Sequence, residues 1–176
     1  MNLQSRLTCI LSMLLVICVS LSADQATVPA WDKLGDLNII PCPKQINDRN
    51  ASFALADKTS AKAVIVLPDD AKVAMSVAAD QINGTLQDLG FPALPVRKAS
   101  DSNAIPKDKK RIILGVKDES PLLGQLLKEN SKALEDNPLG EQGYAIFFDK
   151  DHVLLAARNK QGVLYAAVTF AQLIRK

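Results

Sequence analysis

The sequence predicts an α/β domain of the α+β sandwich type: a mixed, partly antiparallel sheet with helices packed on it. Three observations carry that expectation. The short β-branched runs Ala63–Leu67 and Ile112–Val116 have the composition of strands buried on both faces. Stretches with apolar residues at helical spacing separate or follow such runs. Near the end, Gly143–Phe148 and Val153–Ala157 are joined only by Asp149-Lys150-Asp151-His152, a polar connection that suits an antiparallel hairpin. At 176 residues, 48% of them hydrophobic and 23% charged, the chain has the size of one domain with a sizeable core. That composition excludes disorder, collagen-like repeats and a disulfide-dense mini-protein. The balance of 21 Lys+Arg against 19 Asp+Glu lacks the basic excess with which nucleic-acid binders displace counterions.

In chain order, residues 1–22 have the layout of a secretory signal peptide: Arg6, an apolar run from Leu7 to Leu21, and small residues at Ser20 and Ser22. The run is shorter than the ~20 residues that span a bilayer comfortably. The expected product is secreted or periplasmic, with no membrane contact after cleavage. Cys9 and Cys18 lie in this leader, so Cys42 is the one cysteine left and has no partner for an internal disulfide. Residues 23–37 read as a lead-in, and Ile39-Ile40-Pro41-Cys42-Pro43 as an opening strand closed by prolines. After the strand Ala63–Leu67, Asp69 or Asp70 is expected to cap a helix. Its core stripe would hold Val73, Ala74, Val77, Ala78, Ile82, Leu86 and Leu89, and Gly90 with Pro92 would end it. Leu94–Arg97 is a further short strand and Ser100–Lys110 a surface loop. Ser120-Pro121 opens a second helix, with Ser as cap and Pro at the first helical position. Asn159 caps a last helix that carries Val163, Leu164, Ala167, Val168, Ala171 and Ile174 and is expected to run to Lys176.

No complete catalytic constellation is visible. The phosphate loops G-x-G-x-x-G and G-x-x-x-x-G-K-[ST] and the nucleophile elbow G-x-S-x-G are absent. One His and one mature Cys do not make a zinc site, so the expected catalytic, metal and cofactor residues are none. Cys42, flanked by prolines, reads as a small packed residue, and His152 as solvated surface in a charged turn. The run Lys109-Lys110-Arg111 reads as a solvated strand entrance. Asp118-Glu119 has the form of a paired carboxylate, but its place before a proline-opened helix explains both charges by the helix dipole. Asn50-Ala51-Ser52 and Asn83-Gly84-Thr85 match the N-glycosylation acceptor.

The informative segment is Gly140 to Ile174: Gly140-Glu-Gln-Gly-Tyr-Ala-Ile, then Val153-Leu-Leu-Ala-Ala, then Asn159-Lys-Gln-Gly162-Val-Leu-Tyr165-Ala-Ala-Val-Thr169-Phe-Ala-Gln172-Leu-Ile. It resembles the end of the non-catalytic N-terminal domain of secreted β-N-acetylhexosaminidases, glycoside hydrolase family 20. Ile40-Pro41-x-Pro43 resembles that family's opening Ile-Pro-x-Pro, and Ile112-Ile113-Leu114-Gly115 its middle strand. The likeness covers about residues 38–176. Similar domains precede the barrels of O-GlcNAc hydrolases and α-glucuronidases. Ala166-Ala167-Val168 departs from the family, which more often has Gly and then Gln before the Thr, but it keeps the apolar stripe.

The resemblance implies an accessory domain that packs against a catalytic (β/α)₈ barrel and steadies it, with glycan met only through that barrel. A barrel takes roughly 250 further residues, and its carboxylates would lie beyond Lys176. There, the family resemblance implies, the substrate's own N-acetyl group acts as nucleophile and a carboxylic acid as proton donor. The chain alone would then be inactive, with the barrel supplied in cis or by another chain and the last helix as a docking surface. The alternative is a free-standing carbohydrate-binding or structural interaction module. Sugar-binding faces usually present exposed aromatics, and here aromatics are 5% and fall mostly in core stripes.

Overall fold

The computed structural model describes Ile39, residues 53–127, Leu134, Gly140 and residues 142–174. The leader, the lead-in, the rest of the opening strand, Cys42 and Asn50 lie outside the described residues; Ile39 itself is buried. The element order is β1 (Ala63–Leu67), α1 (Val73–Asp88), β2 (Val96–Lys98), a 3₁₀ turn (Ala99–Ala104), β3 (Lys110–Val116), α2 (Pro121–Leu126), β4 (Tyr144–Phe148), β5 (His152–Ala157) and α3 (Lys160–Leu173). The five strands form one sheet in the order β2-β1-β3-β5-β4. All neighbours are parallel except the β4–β5 hairpin, where Tyr144 pairs with Ala157 and Phe148 with Val153. The mixed, partly antiparallel sheet with helices on it is therefore the fold the sequence predicts.

The runs Ala63–Leu67, 112–116 and 153–157 are apolar at every position because the three central strands are covered on both faces. Ala63, Ile65 and Leu67 of β1, Ile112, Leu114 and Val116 of β3, and Val153, Leu155 and Ala157 of β5 face α1 and α3. Val64, Val66, Ile113, Leu154 and Ala156 face the other way and pack with Ile105, Leu123, Leu127 and Leu134. A period of two thus sorts one sheet into two cores.

Helix α1 departs from the expected stripe. Its buried residues are Met75, Ala78, Ala79, Ile82 and Leu86, while Val73 is 79% and Val77 44% exposed. The cap is Lys72, with no side-chain bond, and neither Asp69 nor Asp70 caps the helix. The backbone first makes a turn in which Ala71 N–H donates to the Pro68 carbonyl, so the helix begins too late for either carboxylate. Asp69 instead accepts from Ser100 N–H at 2.9 Å and ties the loop after β1 to the 3₁₀ turn. Gly90, with φ of 80°, ends the helix in the left-handed region as expected.

Two further expectations are adjusted. The segment 100–110 is not simply surface loop, because the 3₁₀ turn occupies its start, Ile105 is buried and Lys110 already belongs to β3. The last helix ends at Leu173, where Ile174 takes an extended conformation with ψ of 127°. The capping expectations hold elsewhere: Ser120 Oγ accepts from Leu123 N–H, and Asn159 Oδ1 accepts from Gly162 N–H at 2.8 Å.

Two glycines test opposite consequences of this packing. A Cβ on Gly162 would stand 2.8 Å from Ala157 Cβ and 3.0 Å from the carbonyl oxygens of Gln142 and Gly143. Gly162→Ala is expected to lower unfolding free energy by about 1–3 kcal/mol. A Cβ on Gly84, within α1, would meet nothing within 4 Å. Gly84→Ala should raise stability by up to about 1 kcal/mol. Urea unfolding of both variants checks the pair, and a shift of the same sign in both would contradict this packing.

Asp57 gives a pH prediction. Its carboxylate pairs with Lys62 Nζ at 2.9 Å and accepts from the N–H groups of Thr59 and Ser60. Lys62 first, and then those two N–H groups, hold its pKa well below the usual carboxylate range. A lowered folded-state pKa means stability present above the ordinary value and lost as pH falls below about 4. The urea-midpoint gap between wild type and Asp57→Asn should therefore be full at pH 7 and shrink toward pH 3. A gap independent of pH would contradict the reading.

Candidate functional site

Two regions gather the side chains that could carry function. The first is an open cleft of about 360 Å³ lined in part by Pro68, Asp69, Asp70, Ser100, Glu119 and Gln125. It lies at the carboxyl ends of β1 and β3. From β1 the chain crosses through α1 to β2 on one side, and from β3 it leaves through α2 toward the hairpin on the other. Such a switch point opens a crevice in doubly wound sheets. Two of its three acids, Asp69 and Glu119, are already engaged. The Ser100 backbone N–H, then its hydroxyl, and Lys98 hold the Asp69 carboxyl below its usual range. Glu119 Oε2 lies 3.4 Å from Lys160 Nζ and so links the start of α2 to the start of α3. A glycosidic proton donor needs the opposite perturbation, a carboxyl held protonated by its surroundings.

The second region is the junction of β4, β5 and α3, built from the residues of the Gly140–Ile174 segment. The Tyr144 hydroxyl and Thr169 Oγ1 are 2.7 Å apart, and Thr169 is buried. Asn159 caps α3, and Gly162 lets its first turn reach the strand ends. Gln142 Nε2 donates to Gln161 Oε1, and Gln161 Nε2 donates to the Tyr165 hydroxyl at 2.8 Å. These residues do architectural work: they cap, space and anchor one helix.

The other residues singled out in the sequence fall apart from both regions. His152 opens β5 and lies 3.6 Å from Asp149 Oδ2 in the hairpin turn; its ring is mostly covered, so it is less solvated than expected. Lys109 donates to the Ala61 carbonyl, and Lys110 sits 4.7 Å over the Phe53 ring, so this basic run is fastened to the sheet's amino end. Asn83 does not offer a free acceptor amide: Nδ2 donates to the Leu94 carbonyl, and Oδ1 accepts from Leu94 N–H. Among the described residues, no group of three or more His, Cys, Asp or Glu is placed to hold a metal ion, and no helix is long and apolar enough to cross a membrane. The cleft itself went unread in the sequence. Its signal was the acidic, proline-bearing turn that follows each of the two buried runs, Pro68-Asp69-Asp70 and Asp118-Glu119-Ser120-Pro121.

Comparison with known proteins supplies the family. Residues 36–176 match the family model for glycosyl hydrolase family 20, domain 2. A beta-hexosaminidase of Porphyromonas gingivalis (strain ATCC BAA-308 / W83) is 28% identical over 166 residues, which are 94% of this chain and 17% of that protein. The chain thus spans well under a quarter of that relative's length. Among solved structures, that of CpGH84D aligns with a TM-score of 0.46 at 10% identity, covering 64% of this chain and 17% of that one. The structure of a GH138 enzyme targeting pectin rhamnogalacturonan II aligns with a TM-score of 0.37 at 17% identity over 59% of this chain and 12% of its own. Capped, spaced and anchored as its motif residues require, the chain belongs to glycosyl hydrolase family 20 as its domain 2, an accessory domain of a glycoside hydrolase.

Proposed function

We propose that the chain is the accessory domain of an exported hydrolase of β-N-acetylhexosaminidase type, and that it packs against a catalytic (β/α)₈ barrel and steadies it. Glycan meets the protein through that barrel. The observation that carries this reading is the family match over residues 36–176, joined to the structural employment of the matched motif. Two carboxylates near the strand ends, Asp57 and Asp69, are held in their ionised state by hydrogen bonds, which suits structural work rather than proton donation. The export half of the proposal rests on the layout of residues 1–22.

A free-standing carbohydrate-binding module is the second reading, favoured by the open cleft after β1 and β3. Binding of the purified chain to an N-acetylated glycan on an array, lost in Gln125→Ala, would support it over the first.

Three outcomes are expected. The chain alone leaves a chromogenic N-acetylglucosaminide unhydrolysed above background, whereas clear turnover would place a catalytic site within it. A chimera in which the chain replaces the matched segment of the Porphyromonas gingivalis relative hydrolyses that substrate and melts higher than the relative lacking the segment. Secretory expression yields a product whose amino terminus, read by mass spectrometry, lies at Ala23 or Asp24; retention of Met1 would refute export by this leader.

A further inference from the structure

An edge strand offers unpaired N–H and C=O groups to any strand that fits them, and proteins blunt such edges with charge. The two edges of the described sheet differ in this respect. Strand β2 exposes Val96, Arg97 and Lys98. Strand β4 carries no charge along Tyr144–Phe148, and among the described residues only β5 pairs with it. Two bonds fix the phase of its backbone. Asp149 N–H donates to the His152 carbonyl at 2.8 Å, and Arg158 N–H donates to the Gly143 carbonyl at 3.3 Å. The odd-numbered positions of β4 therefore turn their backbone groups toward β5, and Tyr144, Ile146 and Phe148 turn theirs to the open edge.

We propose that this edge is a self-association surface, at which β4 pairs antiparallel with β4 of a second copy of the chain and joins two sheets into one. A two-fold axis through an antiparallel strand pair sets one residue against itself. The outward phase of the backbone and full overlap of the strand together place that residue at Ile146. Tyr144 then lies opposite the second copy's Phe148, and Ala145 opposite its Phe147. The side chains match in this register. On the α3 side, Tyr144, Ile146 and Phe148 meet their counterparts in one aromatic and β-branched row, flanked by the Phe170 ring 6.1 Å from that of Phe148. On the other side, small Ala145 faces large Phe147. The charged turn that follows β4 runs out beside Gly143 and Gln142 of the other copy, so it meets no like charge there. The same operation on β2 would set Arg97 against Arg97, and like charges directly opposite destabilise a strand pair. The self-complementary register is what singles out a second copy as the occupant. The contact lies on the sheet edge and is independent of the accessory role proposed above. Pairing of two such short strands is a small interface, so the dimer belongs to the weak class, with a dissociation constant of roughly 10–100 μM.

The test uses the product of secretory expression described above, at about 5 μM and about 500 μM, on either side of that constant. Sedimentation velocity should show a monomer at the lower concentration and a dimer at the higher. Hydrogen exchange resolved to single amides should slow at least about threefold at Tyr144, Ile146 and Phe148 as the dimer fills, because only the bound copies are protected. Amides of Ala145 and Phe147, already bonded to β5, should not respond, and neither should those of β2. Phe148→Glu places a charge in the apolar row at a half-exposed position, so the monomer should keep its fold while the dissociation constant rises at least about tenfold. A monomer at the higher concentration overturns the proposal, as does a folded Phe148→Glu variant that dimerises like the wild type. So does a dimer whose outward β4 amides exchange at the monomer's rate, since another face then joins the copies. Protection of those amides at both concentrations overturns it too, because another part of the same chain then covers the edge. Should Phe148→Glu fail to fold, the amide pattern of the wild type decides alone.

Discussion

The approach of the first turn of α3 to the ends of the β4–β5 hairpin is the constraint on which the rest of this domain depends. Helix and hairpin meet backbone to backbone at Gly162, where even a methyl group would collide with Ala157 and with two carbonyl oxygens. Asn159 fixes where the helix begins by accepting the Gly162 N–H. With the start fixed in position and phase, two turns later Thr169 arrives beneath the Tyr144 hydroxyl. The same course brings Ala166, Ala167 and Phe170 into the core shared with α1 and the sheet. Small residues at 166 and 167 let the two helices share that space, as Ala78 and Ala79 do on α1.

Much of this was legible before the structure, because the strongest local signals are also the tertiary ones. β-branched runs without polar interruption became strands covered on both faces, and the Asp149–His152 connection became a hairpin turn. Asn159 and Ser120 kept their capping roles because each stands immediately before its helix. Asp69 did not, since Pro68 makes a turn that uses up the residues after β1 before α1 starts. Val73 and Val77 were misplaced for a related reason. A valine at helical spacing looks like core, but the phase of a helix is set by what it packs on, and here Met75 and Ala79 won the buried face. Strand order was not readable at all: β3 lies between β1 and β5 through contacts distant in sequence.

Function was legible only through the family likeness, and the structure explains why. The residues of the recognisable segment have structural roles in the described domain: they cap a helix, permit a close approach and satisfy a buried hydroxyl. Such roles constrain residue type as tightly as chemistry does, because a Cβ at position 162 or an unpaired Thr169 hydroxyl in the core would each carry a penalty of order 1–3 kcal/mol. A pattern can therefore be diagnostic of a family through residues whose contacts are those of packing and capping.

The distribution of charge across the sheet takes this one step further. At one edge, β2 exposes Val96, Arg97 and Lys98, and two adjacent cations on a three-residue strand discourage pairing with another chain. At the opposite edge of the described sheet, β4 reads Tyr-Ala-Ile-Phe-Phe with no charge, and Phe148 is 43% exposed with its ring 6.1 Å from that of Phe170. Helix α3 lies over this same half, while α1, with its exposed aspartates, spans the connection from β1 to β2. The outer surfaces thus differ in charge: β2 and α1 expose Arg97, Lys98, Asp80 and Asp88, whereas β4 and the stretch of α3 from Gln161 to Leu173 carry no charged residue. Burial of charge is costly and burial of apolar surface favourable. Covering β4 and the outward side of α3 would therefore remove apolar surface from water, whereas covering β2 or the outward side of α1 would strip ionised groups of their hydration.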